Sequence, residues 1–278
     1  MDLSTVAGTG AEGRVTREDV LRIAGTEPSP APTSAPSPAT DRWPVPSGAD
    51  ERVPVRGVRR LISEKMARSW REIPHVTTFH PADFTWVEGL RRELTEESGT
   101  RVSALAVVVR ALVEVCRAHP ILNSTFDAEA REVVLKGEYH VGIAMDTERG
   151  LLVPVVRDAD RKGIVTVARE MQELADAARA GRATPDQLTG GTITVTNYGT
   201  FGSWAGTPII NHPEAAILGV GAVRPRPMVV DGRVEARPEA ILALSFDHRV
   251  IDGADADRAM SDLRATLESP FRLGALPR

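Results

Sequence analysis

The residues best suited to acid–base chemistry lie in one short stretch near the C-terminus, SFDHRVIDG, which covers positions 245–253. His248 follows a predicted strand, and Asp252 and Gly253 come at the start of a predicted helix. Imidazole titrates near neutral pH, so His248 can take a proton from a thiol or hydroxyl as that atom attacks a carbonyl, and then return it to the leaving group. The alternative interpretation is a hydrogen-bonded structural histidine.

A second stretch, TGGTITVTNYG at positions 189–199, places hydroxyl and amide groups beside a glycine turn. Thr196 and Asn197 stand at the end of the strand predicted here. Such groups can donate hydrogen bonds to an oxyanion that forms on a thioester carbonyl. The two stretches together therefore indicate a base and an oxyanion donor.

Periodic hydrophobic patterns from residue 53 onward predict the elements that position these groups. An apolar segment at 102–118 predicts a buried helix that ends before Pro120. Further helices are predicted at 58–70, 86–94, 164–179 and 254–268, and strands at 75–84, 121–126, 132–136, 139–145, 151–156, 192–197, 215–223, 226–230 and 239–246. This order predicts an α/β fold, a two-layer sandwich of a mixed sheet with helices packed on it.

Composition excludes several classes of function. The chain has 278 residues, a net charge of -4 and only 4% aromatic residues, so it lacks the basic surface and stacking rings that nucleic acid requires. No apolar window is long enough for a membrane helix, and no secretion signal is evident. Cys116 is the single cysteine, which excludes a disulfide within the chain and a thiolate-rich metal site. We therefore expect a cytoplasmic protein without a metal.

Other residues with chemical potential have simpler interpretations. His75 and His80 share a predicted strand, but no third ligand has suitable spacing for a metal, so we expect structural histidines. The glycine-rich segment 199–206 lacks the strand-to-helix pattern of a phosphate loop. Trp204 either lines an acceptor pocket or, as we expect, packs in the core or an interface. Cys116 lies in the buried helix and is predicted to be inert.

Six stretches carry a resemblance to a known family: GVRRLISEKMARSW with IPHVT, HPILN, YHVGIAMDTERGLLVPVV, TGGTITVTNYGTFG, TPIINHPEAAILGVGAV and SFDHRVIDG. They occur in the family's order over about four fifths of the chain. From residue 53 to the C-terminus, the sequence resembles the catalytic core of the dihydrolipoamide acyltransferases of 2-oxo acid dehydrogenase complexes. The resemblance implies the chloramphenicol acetyltransferase fold and a homotrimer with active sites at subunit interfaces. It also implies that coenzyme A and an acceptor enter a channel from opposite ends.

The resemblance also implies roles for individual residues. His248 matches the family's catalytic base. Asp252 matches an acidic residue that pairs with an arginine, for which we select Arg59. Thr196 stands where the family usually has a serine that donates to the oxyanion. Gly253 and Asn197 are expected to support the site structurally.

The chain is predicted to contain three parts. Residues 1–26 resemble the second half of a peripheral-subunit-binding domain through GTGAEGRVTREDV, so we interpret them as a truncated remnant of that domain. Residues 27–52 contain seven prolines interleaved with Ala, Ser and Thr, which predicts an extended linker. Residues 53–278 form the predicted acyltransferase domain. The ending FRLGALPR lacks the leucine-rich tail of relatives that build large cores, which favours an isolated trimer.

The acceptor is left open between alternatives. The resemblance implies a lipoyl lysine in the context Asp-Lys-Ala, but Lys65, Lys136 and Lys162 all have other neighbours, so the sequence has no lipoyl attachment site. We therefore expect a stand-alone enzyme that transfers an acetyl or short branched acyl group from coenzyme A to a small-molecule hydroxyl, such as a tetronate-type intermediate. One alternative is the core of a 2-oxo acid dehydrogenase complex, with dihydrolipoamide as acceptor and dehydrogenase components as partners. Another is a non-catalytic assembly module.

Overall fold

A computed structural model describes residues 9, 48, 50–148 and 150–278. The chain divides into two units, Met1–Arg52 and Val53–Arg278. The predicted remnant at 1–26, apart from residue 9, and most of the predicted linker lie outside the described residues. The fold described below is that of the second unit.

The second unit contains six α-helices and ten strands within its described residues. The helices are α1 (Gly57–Glu72), α2 (Thr85–Ser98), α3 (Ala104–Ala118), α4 (Ile164–Arg179), α5 (Gly253–Leu267) and α6 (Pro270–Gly274). The strands are β1 (His75–Asp83), β2 (Ser124–Asp127), β3 (Glu132–Leu135), β4 (Val141–Thr147), β5 (Gly150–Leu152), β6 (Val155–Val156), β7 (Ile193–Asn197), β8 (Ala216–Val220), β9 (Arg224–Val230) and β10 (Arg233–Asp247). None of the helices in this described part is both long and apolar enough to span a membrane.

The main sheet has eight strands in the order β1-β10-β8-β7-β4-β5, with β6 also paired to β4 and β9 to β10. The neighbours β8, β7 and β4 run parallel, and the remaining pairs are antiparallel. A separate ribbon pairs β2 with β3. Parallel neighbours require crossover connections, so the central strands are largely buried. The predicted mixed sheet with packed helices is confirmed.

Helix α3 lies at the centre of the core because its sequence is apolar nearly all round. Ser103 caps its N-terminus by accepting a hydrogen bond from the amide of Ala106, and the helix ends at Ala118, before Pro120. Helices α2, α4 and α5 pack against α3, and α5 also packs on β1. This helical layer covers one face of the sheet and holds the start of α5 beside the end of β10.

Three features differ from the predicted elements or extend them. The predicted strand at 151–156 is divided into β5 and β6, because Pro154 has no backbone N–H to donate to a neighbouring strand. Its carbonyl accepts a hydrogen bond from the amide of Ile143. Strand β10 begins at Arg233, before the predicted start, and forms a hairpin with β9. At the C-terminus, Leu273 and Leu276 are buried in the core of their own chain.

Candidate active site

The turn from β10 into α5 holds the backbone of His248 on both sides. The amide of His248 donates to the carbonyl of Pro74 at 3.1 Å, and the amide of Asp247 donates to the carbonyl of Ala215 at 2.8 Å. The carbonyl of Asp247 accepts the amides of Val250 and Ile251 at 3.0 and 2.9 Å, which closes the turn. The backbone is therefore fixed at the residue predicted to be the base.

The His248 side chain is exposed in the single chain. Its ring packs beside Phe246 with centroids 5.7 Å apart, and it makes no hydrogen bond within the described part of the chain. An exposed imidazole that makes no hydrogen bond to protein groups is free to reach a substrate. It therefore differs from a structural histidine, whose nitrogens are committed to protein groups.

Asp247 forms an ion pair that the sequence reasoning missed. Its carboxylate is buried and accepts Arg249 Nε at 3.0 Å and the Arg249 terminal nitrogen Nη2 at 2.6 Å, while the Arg249 amide donates to the same carboxylate. The guanidinium carbon also lies 4.6 Å from the ring centre of Phe126, and the Asp247 hydrogen bond raises the pKa of Arg249. The pair locks the turn on either side of His248. The signal in the sequence that could have indicated this ion pair is an aspartate and an arginine two residues apart.

The predicted pairing of Asp252 with Arg59 is not tested by the single chain and stays a prediction. Asp252 is the N-cap residue of α5, but its side chain is exposed and accepts no capping hydrogen bond. Arg59 is exposed on α1 and interacts with other groups. Gly253 begins α5 in open space, where an added Cβ would meet no atom within 4 Å. The turn therefore needs no glycine for steric reasons at this position.

Thr196 and Asn197 end β7, as predicted. Thr196 is half-buried, and its hydroxyl has no hydrogen-bond partner among the described residues. Asn197 Oδ1 accepts the amide of Gly199 at 3.0 Å. A Cβ on Gly199 would lie 2.4 Å from the carbonyl oxygen of Gly221, so only glycine fits this close approach. The asparagine and the glycine shape the turn, and the threonine hydroxyl remains available to donate.

The register of the sheet separates Thr196 from His248 within one chain. Thr196 pairs with Gly219 on β8, and Gly219 pairs with Ala243 on β10. His248 lies five residues beyond Ala243 and two strands away from Thr196, which at about 3.3 Å per residue and 4.8 Å per strand gives a separation of roughly 15–20 Å. A single chain therefore does not bring the predicted base and oxyanion donor together.

A buried polar cluster that sequence reasoning missed contacts β7 at Thr194, two residues before Thr196. Glu214 is 2% exposed and accepts Asn211 Nδ2 at 2.7 Å, and the same amide donates to Thr194 Oγ1 at 3.2 Å. Burial raises the pKa of Glu214 to about 7. Burial lowers the pKa of Lys65 on α1, and the negative charge of Glu214 partly offsets this shift. No spacing pattern in the sequence links these positions, which the fold alone brings together.

The remaining candidates occupy structural positions. His75 bonds the backbone on both sides, with Nδ1 2.8 Å from the Ile73 carbonyl and Nε2 accepting the Ile210 amide. His80 contacts Asp257 at 3.1 Å. Cys116 is fully buried, which raises its pKa to about 12. No group of three or more metal-ligating side chains is found in the described residues.

Comparison with protein families gives two matches along the chain. A family described as 2-oxoacid dehydrogenases acyltransferase (catalytic domain) matches residues 47–275. A family described as e3 binding domain matches residues 1–21. The first match includes both halves of the candidate site.

Curated relatives are similar over almost the whole chain. The dihydrolipoyllysine-residue acetyltransferase component of the pyruvate dehydrogenase complex of Staphylococcus aureus (strain Mu50) is 40% identical over 285 residues, covering 97% of this chain and 66% of the relative. The corresponding Staphylococcus epidermidis component is 39% identical over the same shares. The chain thus spans just under two thirds of the length of these relatives.

Solved structures are similar in fold. The Azotobacter vinelandii dihydrolipoamide acetyltransferase has a TM-score of 0.77 at 35% identity, covering 83% of this chain and 99% of that chain. A probable dihydrolipoamide acetyltransferase from Listeria monocytogenes has a TM-score of 0.75 at 34% identity, covering 80% and 95%. These likenesses confirm the resemblance and the fold that it implied.

The comparisons favour the dehydrogenase-complex alternative over the expected stand-alone enzyme with a small-molecule hydroxyl acceptor. The named relatives are acetyltransferases of dihydrolipoyl groups. The interpretation as a stand-alone tetronate-type enzyme is therefore not supported. The family match extends over far more than half of the chain. The chain belongs to the acyltransferase family of the 2-oxoacid dehydrogenases, and residues 47–275 are its catalytic domain.

Proposed function

We propose that the chain transfers an acetyl group between coenzyme A and a dihydrolipoamide acceptor, with His248 as general base. The observation that carries the proposal is an exposed imidazole on a backbone held by Pro74 and Asp247, in a chain of this family. The relatives, whose names state this activity for pyruvate dehydrogenase complexes, support the choice of acceptor.

The proposed reaction is a direct transfer without an acyl-enzyme. The imidazole of His248 takes the proton of the acceptor thiol as its sulfur attacks the thioester carbonyl, which forms a tetrahedral oxyanion. When that intermediate collapses, the bond to the coenzyme A sulfur breaks and the imidazolium returns the proton to the leaving thiolate. The ion pair of the buried Asp247 with Arg249 keeps the turn, and hence the imidazole, in place through both steps.

Thr196 is proposed to donate its hydroxyl to the oxyanion. Because one chain separates Thr196 from His248, the complete site combines His248 of one copy with Thr196 of another, as in the expected homotrimer. The Azotobacter enzyme was investigated for the catalytic roles of a serine, a histidine and an asparagine, in which the serine precedes the histidine by 52 positions and the asparagine follows it by four. The same intervals separate Thr196, His248 and Asp252.

Partners follow from the same assignment. Residues 1–21 are proposed to bind dehydrogenase components, in line with the family that they match. The acceptor group is carried elsewhere than on Lys65, Lys136 or Lys162, since none of these lysines has the expected neighbours. Coenzyme A is a substrate in this scheme.

The test measures coenzyme A release from acetyl-CoA with dihydrolipoamide as acceptor. His248→Ala is expected to lower kcat by about 10²–10⁴-fold, and Thr196→Ala by about 10²-fold, while Thr196→Ser stays within tenfold of the unchanged chain. His119→Ala is the matched control, because His119 pairs with Asp262 away from the turn, and it should leave kcat unchanged. Full activity in His248→Ala refutes the mechanism. No release by the unchanged chain supports the non-catalytic assembly module instead.

Mixed assemblies test the shared site. Coexpressed His248→Ala and Thr196→Ala chains, each inactive alone, form mixed assemblies with sites between copies. About a quarter of these sites combine a native His248 from one copy with a native Thr196 from another. We therefore expect recovery of roughly a quarter of the activity in an equal mixture. No recovery above the separate variants contradicts a site shared between copies.

A further inference from the structure

The segment 210–215 joins the two halves of the candidate site. At one end, the carbonyl of Ala215 accepts the amide of Asp247, the residue before His248. At the other end, the amide of Ile210 donates to His75 Nε2 at 3.0 Å, and the carbonyl of Ile210 accepts Ser69 Oγ at 2.6 Å. The segment therefore rests on both β1 and the end of β10.

Glu214 attaches this segment to β7. Its carboxylate Oε1 accepts Asn211 Nδ2 at 2.7 Å, the same amide donates to Thr194 Oγ1 at 3.2 Å, and the Thr194 side chain also interacts with the carboxylate. Its backbone forms a bridge with Thr125 on β2. Thr194 and Thr196 are two residues apart on one strand, so their side chains lie on the same face. The carboxylate thus holds the strand position next to the proposed oxyanion donor.

The surroundings are shaped to admit these polar groups. A Cβ on Gly142 would lie 2.8 Å from Thr194 Oγ1, and a Cβ on Gly191 would lie 3.0 Å from Glu214 Oε1. Two glycines therefore leave the room that the threonine and the glutamate fill. A sheet interior filled by apolar side chains would not need this space for polar groups. The cluster is therefore a specific feature of the interface between these strands.

Hydrogen bonding accounts for the arrangement better than ion pairing. Glu214 Oε2 is buried without a hydrogen-bond partner within the described residues, and Lys65 acts on Glu214 through its charge and not through a hydrogen bond. Among the described residues, Lys65 on α1 is the charged group that acts electrostatically on Glu214. The neighbours Thr194 on β7, Thr125 on β2 and Asn211 in the segment itself are uncharged. The contact that an amide side chain can reproduce is therefore the one made by Oε1.

We propose that Glu214 is a positioning residue for the reaction, because its buried hydrogen bonds to Thr194 and Asn211 set the position of β7 and so aim the Thr196 hydroxyl. The proposal rests on the proposed role of Thr196. Glu214 touches no substrate in this scheme and acts through the strand. Loss of its hydrogen bonds lowers kcat, whereas the binding of acetyl-CoA is unaffected.

The test is a double-mutant cycle in the coenzyme A release assay, with the full chain. Glu214→Ala is expected to lower kcat by about tenfold or more, with the KM for acetyl-CoA within twofold, and Glu214→Gln to restore kcat to within about threefold of the unchanged chain. In the Thr196→Ala background, Glu214→Ala should change kcat by less than about twofold, because the hydroxyl that it aims is already absent. Glu88→Ala removes a part-buried glutamate on α2 and is the matched control.

Thr194→Val keeps the proposal testable if Glu214→Ala does not fold, since valine has nearly the volume of threonine but no hydroxyl. It should lower kcat severalfold and show the same coupling to Thr196→Ala. Equal losses from Glu214→Ala or Thr194→Val in both backgrounds, or failure of Glu214→Gln to rescue, overturn the positioning role alone. Full activity in Thr196→Ala overturns the proposed role of Thr196, and the positioning role with it.

Discussion

The charge of Glu214 should make the stability of the fold depend on pH. Burial raises the pKa of this carboxyl from 4.5 to about 7 in the folded chain, so the folded state holds the proton more tightly than the unfolded state. As pH rises from about 4.5 to 7, the unfolded state releases its proton first, and the free energy of unfolding falls through this window. The separation of the two pKa values corresponds to about 3 kcal/mol, lost in full above pH 7.

Glu214→Gln removes this dependence because glutamine does not titrate and preserves the shape of the side chain. The difference in free energy of unfolding, Glu214→Gln minus unchanged chain, should therefore increase by about 3 kcal/mol between pH 4.5 and 8. Taking this difference cancels the titrations that the two proteins share. The sign is opposite to that of a carboxylate stabilised by a salt bridge, whose contribution is lost as pH falls.

Urea unfolding followed by tryptophan fluorescence at pH 4.5, 6, 7 and 8 measures the difference. All samples need one chain concentration, because an assembly gains stability by mass action. Glu129→Gln, at an exposed position, controls for the general removal of one carboxylate and should change the free energy by less than about 0.5 kcal/mol at every pH. A difference for Glu214→Gln that is flat to within 0.5 kcal/mol would refute the assignment of a raised pKa to a buried carboxyl.

Three further predictions follow from the packing. Arg249→Ala leaves Asp247 buried without its cation and should lower the free energy of unfolding by about 2–3 kcal/mol, with kcat reduced as well, as measured by urea unfolding and the release assay. Gly221→Ala places a Cβ 2.1 Å from the Trp204 carbonyl oxygen and should cost at least about 2 kcal/mol in the same unfolding measurement. Cys116, with its pKa raised to about 12, should not react with a disulfide reagent at pH 8 until urea unfolds the chain; modification of the folded chain within minutes would contradict this.

Local sequence patterns predicted most of the elements around the site. The apolar run of α3 and the proline after it predicted a buried helix, which ends at Ala118 as predicted and begins two residues later than predicted. Strand β7 and its Thr-Asn-Tyr-Gly ending were also predicted, since a hydroxyl-rich strand end and a glycine turn are local features. Local patterns failed at Pro154, where a single hydrophobic run forms two short strands. Hydrophobic periodicity does not show which residue lacks a backbone N–H for pairing with a neighbouring strand.

The type of chemistry was also evident from the sequence, because it depends on residues close together in the chain. His248 and Asp252 are four residues apart, and the turn between them is closed by the amides of Val250 and Ile251, which donate to the Asp247 carbonyl. The arginine partner of Asp252, by contrast, stays a prediction. An ion pair between α1 and α5 depends on how two distant elements pack, which spacing along the chain does not determine.

The sequence by itself indicated the elements, the candidate base and the candidate oxyanion donor, since each depends on a short run of residues. Only the tertiary structure decided their arrangement. Strand order and register separate Thr196 from His248 by two strands, and the same order brings Glu214 against Thr194. The physical reason is that pairing between strands joins residues far apart in the chain. Burial, which shifts the pKa of Glu214 and isolates one of its oxygens, is a property of the packed fold and not of any local pattern.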